Sequence, residues 1–87
     1  MKLSIYSLKK VLFQGSAQLL NCKTVTGEIT VLENHEPLIT VLSAGVIKVV
    51  RRPTSYDSGE GVEEYFEIKS GFLEVKEGSE VRCIVEQ

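Results

Sequence analysis

The 87-residue sequence contains no tryptophan, a single histidine and a single aspartate. A serine, histidine and aspartate triad would have to use both His35 and Asp57, and no neighbouring residue is placed to orient the histidine as a base. One histidine cannot fill the first shell of a zinc enzyme. Neither a GxxxxGK(S/T) nor a GxGxxG phosphate-binding loop is present. The sequence therefore predicts a protein without catalytic activity, cofactor or metal.

Long hydrophobic runs are also missing. No segment approaches the ~20 apolar residues that span a bilayer, and the N-terminus lacks the apolar core and cleavage site of a signal peptide. The formal net charge of −2 argues against a nucleic-acid binder and against docking on anionic lipid, since both need a basic face. We expect a cytosolic protein that does not insert into the membrane and reaches it only through a partner.

The two cysteines, Cys22 and Cys83, are far apart in sequence and belong to no CxxC pair. Thiols of cytosolic proteins are usually reduced, and a free cysteine behaves as a small apolar residue that prefers the interior. We therefore expect both side chains in the core.

Short apolar runs separated by turn residues dominate the sequence. Runs rich in β-branched residues, or with period-two alternation, occupy residues 2–7, 17–25, 29–32, 38–42, 46–50, 66–69, 73–76 and 81–86. Such spacing predicts an all-β domain spanning residues 1–87, an antiparallel β-sandwich or flattened barrel of about eight to ten short strands. No helix of useful length, and no C-terminal helical hairpin, is expected.

Residues 52–61 are rich in proline, serine and glycine, which predicts a hairpin loop with a mobile tip. Glu63 and Glu64 follow it and are expected to be solvated or paired with lysine and arginine across the ladder. Residues 26–45 combine two glycines, a polar run and an apolar strand. They form either an ordinary strand, loop and strand, or a loop that presents Glu28 and His35 beside a strand that a partner covers.

Three blocks of sequence resemble the ε subunits of F-type ATP synthases, called δ in mitochondria. Val11-Leu12-Phe13-Gln14-Gly15 is similar to the family's short step between its first strands, and residues 69–75 are similar to its S-G-G hairpin. Between them, residues 26–45 resemble the family's signature, with these positions matching: Gly27, Glu28, Val31, His35, Pro37, Leu38, Thr40, Leu42 and Gly45.

This chain departs from the family pattern at two places in the signature. Glu33-Asn34 stands where the family has proline-glycine, and Thr30 stands where it has glycine. Asparagine tolerates left-handed φ better than most residues, so we expect Asn34 to replace the glycine.

The resemblance implies a rotor subunit at the foot of the central stalk, peripheral to the cytoplasmic face of the cell membrane. One sheet would pack on the γ subunit and the end loops on the c-ring, with transient contact to β, so that proton or sodium transport is coupled to ATP synthesis. By the same resemblance, Glu28 would contact the c-ring, and the γ-facing residues would be Ser7, His35, Thr40 and Leu42. An obligate interface is more apolar than ordinary protein surface, and the strand Leu38–Leu42 is apolar on both of its faces.

Two other interpretations remain open from the sequence. One is a free-standing β-sandwich that binds a peptide or small ligand at an edge strand. The other is a small metal-independent enzyme of cupin-like shape, for which the sequence offers almost no side-chain chemistry. Longer members of the resembled family carry a helical hairpin that blocks ATP hydrolysis. The pattern after Val81 predicts a strand and no such helix, so we do not expect these residues to inhibit hydrolysis.

Overall fold

The computed structural model describes residues 1–52 and 61–87. The regular secondary structure in these two ranges consists of β-strands alone. The predicted all-β class is confirmed. The nine strands are β1 (Lys2–Ser7), β2 (Val11–Ser16), β3 (Leu19–Thr24), β4 (Gly27–Leu32), β5 (Leu38–Leu42), β6 (Gly45–Arg51), β7 (Val62–Ile68), β8 (Ser70–Lys76) and β9 (Glu80–Glu86).

The strands form two layers that share one continuous hydrogen-bonded sheet. The first layer has the order β2-β1-β9-β8-β5, and the second contains β3, β6 and β7, with β4 paired to the other edge of β3. The layers meet at a corner where Thr24 pairs with Leu42. All described pairings are antiparallel, as predicted, with one exception: β1 and β9 run parallel over six residue pairs.

The core lies between the layers and follows from the alternation of side chains along each strand. Leu3 and Ile5 of β1 are fully buried and face inward, and they lie in one cluster with Leu20, Ile47 and Leu73. The core also contains Cys22 and Cys83, whose predicted burial is confirmed. Burial raises the pKa of the Cys22 thiol to about 11 and that of Cys83 to about 12, and proximity to Cys22 adds to the second shift.

The strand β2 was not predicted, because a β-bulge breaks its alternation. The register of β1 against β2 shifts between Ile5 and Tyr6, so Phe13 pairs with Ile5 but Val11 pairs with Tyr6. The extra residue, Leu12, and its neighbour Phe13 both pack against the core. Phe13 also contacts Phe66 edge to face, with ring centroids 6.4 Å apart. The bulge thus puts two successive side chains against the core.

The predicted β6–β7 hairpin is confirmed by pairing of the two strands along their whole length. The expected mobile tip of its loop lies outside the described residues. Both carboxylates at the start of β7 are paired as expected: Lys48 Nζ lies 3.3 Å from Glu63, and Arg51 Nε lies 2.9 Å from Glu64.

At two positions the backbone geometry favours or requires a particular residue type. Asn34 has φ of 64°, which confirms that it takes the left-handed conformation expected of it. Gly71 lies where β8 approaches β9 most closely. A Cβ atom there would be 2.6 Å from the carbonyl oxygen of Ile84 and 3.0 Å from Cα of Val85, so only glycine fits.

Candidate partner-binding surface

A row of apolar side chains crosses the outer face of the first layer, perpendicular to its strands. Its members are directly opposite one another on successive strands, so the row continues from β5 through β8, β9 and β1 to β2. We call it the apolar row, and it consists of Val41, Phe72, Ile84, Tyr6 and Val11. Four steps of ~4.8 Å between neighbouring strands give it a length of about 19 Å.

The apolar row is unusual because the outer face of an antiparallel sheet is normally polar. Four of its members are exposed, with Phe72 at 60%, and Tyr6 is half-buried. The adjacent row on the same face is polar in four of its five positions: Ile39, Glu74, Arg82, Ser4 and Gln14. A continuous exposed apolar patch bordered by polar residues marks an interaction site.

The outer face of the second layer is different, because charged and hydrogen-bonded side chains cross it. Lys48 binds Glu63, and the Tyr65 hydroxyl donates a hydrogen bond to the same carboxylate. These two contacts, the one from Tyr65 first, lower the pKa of Glu63, and the carboxylate in turn raises the pKa of Tyr65. Lys48, Glu63 and Tyr65 are thus already partnered within the protein, so this part of the face offers less to a partner.

The β1–β2 turn places a leucine beside one end of the apolar row. Leu8 is 93% exposed. It lines one shallow depression together with Val41, Phe72 and Ile84. The Ser7 hydroxyl accepts hydrogen bonds from the amides of Lys9 (3.3 Å) and Lys10 (3.2 Å). The Ser7 amide donates to the Lys10 carbonyl oxygen at 2.8 Å, so the turn is closed from both sides.

The predicted site residues fall at opposite ends of the sandwich. Ser7 ends β1, and Glu28 lies at the start of β4 opposite Lys23, near the corner where β3 meets β5. The strand pairings place both at the same end. His35 follows β4 and lies at the other end, with the Glu77–Ser79 turn. The structure therefore brings Ser7 and Glu28 to one end and separates both from His35.

The loop that carries His35 is held by a polar cluster. The N-terminal ammonium group of Met1 donates to the Glu33 carboxylate at 2.5 Å and to the Ala17 carbonyl oxygen at 2.9 Å. Hydrogen bonding to this ammonium group, followed by that to Ser79, lowers the pKa of Glu33. The Asn34 amide donates to Ser79 Oγ at 3.0 Å. His35 itself is half-buried and donates its Nδ1–H to the Glu36 carbonyl oxygen at 2.7 Å.

Strand β5 requires a correction to one predicted contact. Leu42 is 1% exposed and lies in the core, so its side chain is not available to the γ subunit and that prediction is wrong. Thr40 lies on the same inward side of β5 but is half-buried, and its assignment stays a prediction. The exposed residues of this strand are Ile39 and Val41. The expectation that β5 is apolar on both faces is confirmed.

Sequence reasoning missed the main feature of this surface, although one signal was available. The outward positions of β9 are Arg82, Ile84 and Glu86, and an isoleucine between two charged residues breaks the polar pattern. Phe72 is likewise the apolar residue among the outward positions Phe72, Glu74 and Lys76 of β8. That these two residues are neighbours follows only from the register of β8 and β9.

A metal site and a membrane-spanning helix are both absent from the described residues. Within residues 1–52 and 61–87, no three histidine, cysteine, aspartate or glutamate side chains are grouped so that they could hold a metal ion. The same ranges contain no helix that could span a membrane.

The sequence of residues 1–87 matches the family described as the ATP synthase delta/epsilon chain, β-sandwich domain. Two bacterial relatives are named ATP synthase epsilon chain. The one from Chromohalobacter salexigens is 39% identical over 72 residues, covering 83% of this chain and 46% of the relative. The one from Acinetobacter baumannii is 33% identical over 76 residues, covering 87% and 50%. The chain thus spans about half the length of these relatives.

Two solved structures share the fold. A chain of the Euglena gracilis mitochondrial ATP synthase, solved as OSCP, F1 and c-ring, superposes with a TM-score of 0.82 at 22% identity, covering 100% of this chain and 51% of that one. A chain of the Tetrahymena thermophila mitochondrial ATP synthase, solved as central stalk and c-ring, gives 0.75 at 18% identity, covering 99% and 63%. At these identities the likeness extends to the fold alone.

Proposed function

Because this chain belongs to the family of ATP synthase delta/epsilon chain β-sandwich domains, we propose that it is a non-catalytic rotor subunit that joins γ to the c-ring. In that place it supports the coupling of proton or sodium transport to ATP synthesis, at the cytoplasmic face of the membrane and peripheral to it. The observation that carries the proposal is the apolar row, because a continuous exposed apolar patch bordered by polar residues marks an interaction site.

The apolar row is the surface that we assign to γ. Each exposed apolar side chain that becomes buried contributes about 25 cal/mol per Å² of area removed from water. A small domain has a modest core, so covering this row with a larger subunit would also stabilise the domain. A permanent interface between subunits is more apolar than ordinary surface, and the apolar row has that character. Ile39, at the edge of the adjacent polar row, would extend the contact.

The end of the sandwich that carries Glu28 is the surface that we assign to the c-ring. It is made of short turns, and Glu28 is exposed there. The exposed tip of the β3–β4 turn at this end is Val25. This end borders the apolar row, so one rigid body could contact γ and the ring at the same time. The two interfaces would then turn together, because a close-packed core does not yield when it is loaded.

The position of His35 fits this arrangement less directly. It lies at the end away from Glu28 and beside the polar cluster around Glu33, on a side of the molecule that the apolar row does not reach. We keep its contact with γ as a proposal that depends on γ extending along the full length of the sandwich.

Reconstitution tests the proposal. Membrane vesicles that contain the synthase without its ε subunit are supplied with the purified chain, and ion pumping is measured per ATP hydrolysed. We expect the chain to bind γ in a pull-down and to raise pumping per ATP towards the value of the intact enzyme. A chain that neither binds γ nor restores pumping would contradict the proposal and leave the free-standing binding module as the alternative.

A further inference from the structure

The most exposed apolar residue of the described chain is Leu8, and it lies in a hydrogen-bonded turn. Three hydrogen bonds of the Ser7 hydroxyl lie within the turn: two from the amides of Lys9 and Lys10, and one to the Lys10 carbonyl oxygen at 3.2 Å. A leucine that is fully in water gains nothing for the folded domain. A rigid turn that presents it nevertheless has the form of an interface anchor, which loses little conformational entropy on binding.

We infer that Leu8 is an anchor residue for γ, whose side chain enters an apolar pocket of that subunit, and that Ser7 is the positioning residue that builds its turn. This rests on the proposed function. The choice of γ rests on continuity, because Leu8 shares a depression with Val41, Phe72 and Ile84 of the apolar row. The residues on its other side are Lys9 and Lys10, both exposed, so the chemistry that fits is an apolar pocket with carboxylates at its rim.

Ser7 then has a different role from the one that the resemblance implied. The resemblance to the family implied that Ser7 contacts γ. Its hydroxyl is already used inside the turn, so its effect on binding would be exerted through Leu8. A residue that acts in this way should be replaceable by threonine, which keeps the hydroxyl, but not by alanine.

The test measures the dissociation constant of the γ complex for variants of the purified chain. Leu8→Ser should weaken binding by about 10- to 100-fold, the range expected for burying a leucine. Its matched control is Leu32→Ser, since Leu32 is 52% exposed on β4 in the other layer and should leave the affinity unchanged. Thermal unfolding of Leu8→Ser should match that of the wild type, because so exposed a side chain adds little to the fold.

Ser7→Ala removes all three hydrogen bonds of the hydroxyl and should weaken binding by at least about 2- to 12-fold, the net effect of one hydrogen bond. Ser7→Thr should restore it. Replacing Lys9 and Lys10 together with glutamine should make the affinity less dependent on salt.

The outcomes separate this inference from the proposed function. If the wild-type chain does not bind γ, the proposed function fails. If it binds γ and Leu8→Ser binds equally well, only the anchor is refuted. Equal losses from Leu8→Ser and Leu32→Ser would also refute it, since the effect would not be specific to this turn. If Leu8→Ser binds γ normally but no longer binds the c-ring, the anchor is also refuted, because the leucine would then contact the ring.

Discussion

Replacing Phe72 with alanine probes the apolar row at its largest side chain. Phe72 is 60% exposed in the isolated chain. A phenylalanine has roughly 200 Å² to bury, so about 120 Å² would be removed from water when γ covers it. At 25 cal/mol per Å² that contact contributes about 3 kcal/mol, of which alanine would retain a small part. We therefore expect Phe72→Ala to weaken γ binding by roughly 30- to 150-fold.

Isothermal titration calorimetry of the purified chain with γ measures this loss, and the structure supplies a matched control. Tyr65 is an aromatic residue with nearly the same exposure, 58%, on the outer face of the other layer. Tyr65→Ala should change the affinity less than threefold. Both variants should stay folded, and we expect Phe72→Ala to lower the free energy of unfolding by no more than about 1 kcal/mol, the contribution of its cross-strand contacts. Equal affinities of Phe72→Ala and the wild type would refute the assignment of the apolar row to γ.

Three further predictions concern other parts of the molecule. Gly71→Ala should lower the free energy of unfolding in urea by about 1–3 kcal/mol, because its Cβ would meet the backbone of Ile84 and Val85. Gly61→Ala should lower it less, because the close contact of its Cβ, 2.8 Å, is with the end of the Val50 side chain. A larger loss from Gly61→Ala than from Gly71→Ala would contradict this reasoning. The thiols of Cys22 and Cys83 should react with a thiol reagent at pH 8 only after unfolding. Because the pKa values of both thiols are raised in the folded chain, only the unfolded chain ionises them between pH 9 and 11, and the free energy of unfolding should fall over that range. Rapid labelling of the native chain at pH 8, or a free energy of unfolding that stays constant from pH 9 to 11, would disprove this. Glu28→Gln should change ion pumping per ATP little, because a solvent-exposed charge at the rim of an interface contributes about 0–1 kcal/mol. Glu28→Lys should lower pumping per ATP if the facing loop is basic. Equal pumping in the wild type and Glu28→Lys would remove the residue from the mechanism.

The strands could be predicted from the sequence wherever side chains alternate in a regular way. Leu3 and Ile5 share one side of β1, as the alternation of its sequence indicates, and the limits of β5 agree with those of its apolar run. Alternation fails at Leu12 and Phe13, where the bulge turns two successive side chains to the core, and β2 was missed for that reason.

The partner surface was harder to predict because it depends on register. Within β5, the sequence does not say whether Val41 or Leu42 points outward, and the residue assigned to γ was Leu42, which is buried. That choice is decided by pairing with β8, where Leu42 is opposite Gly71 and Val41 is opposite Phe72. A row that takes one residue from each of five strands has no counterpart in any single stretch of sequence. Local patterns can therefore identify the strands but not the surface that they build together.

The parallel pairing of β1 with β9 has a mechanical consequence. A force that pulls the N-terminal end of β1 away from the C-terminal end of β9 acts along both strands. It loads all the hydrogen bonds between them in shear at the same time. Antiparallel hairpins pulled apart at their open ends would instead break one bond after another, each at low force. The seam between the first and the last strand is thus loaded in shear, the geometry in which a ladder of weak bonds resists the largest pull. If the domain turns under load, as the proposed function requires, the pairing of β1 with β9 would help it to resist that load.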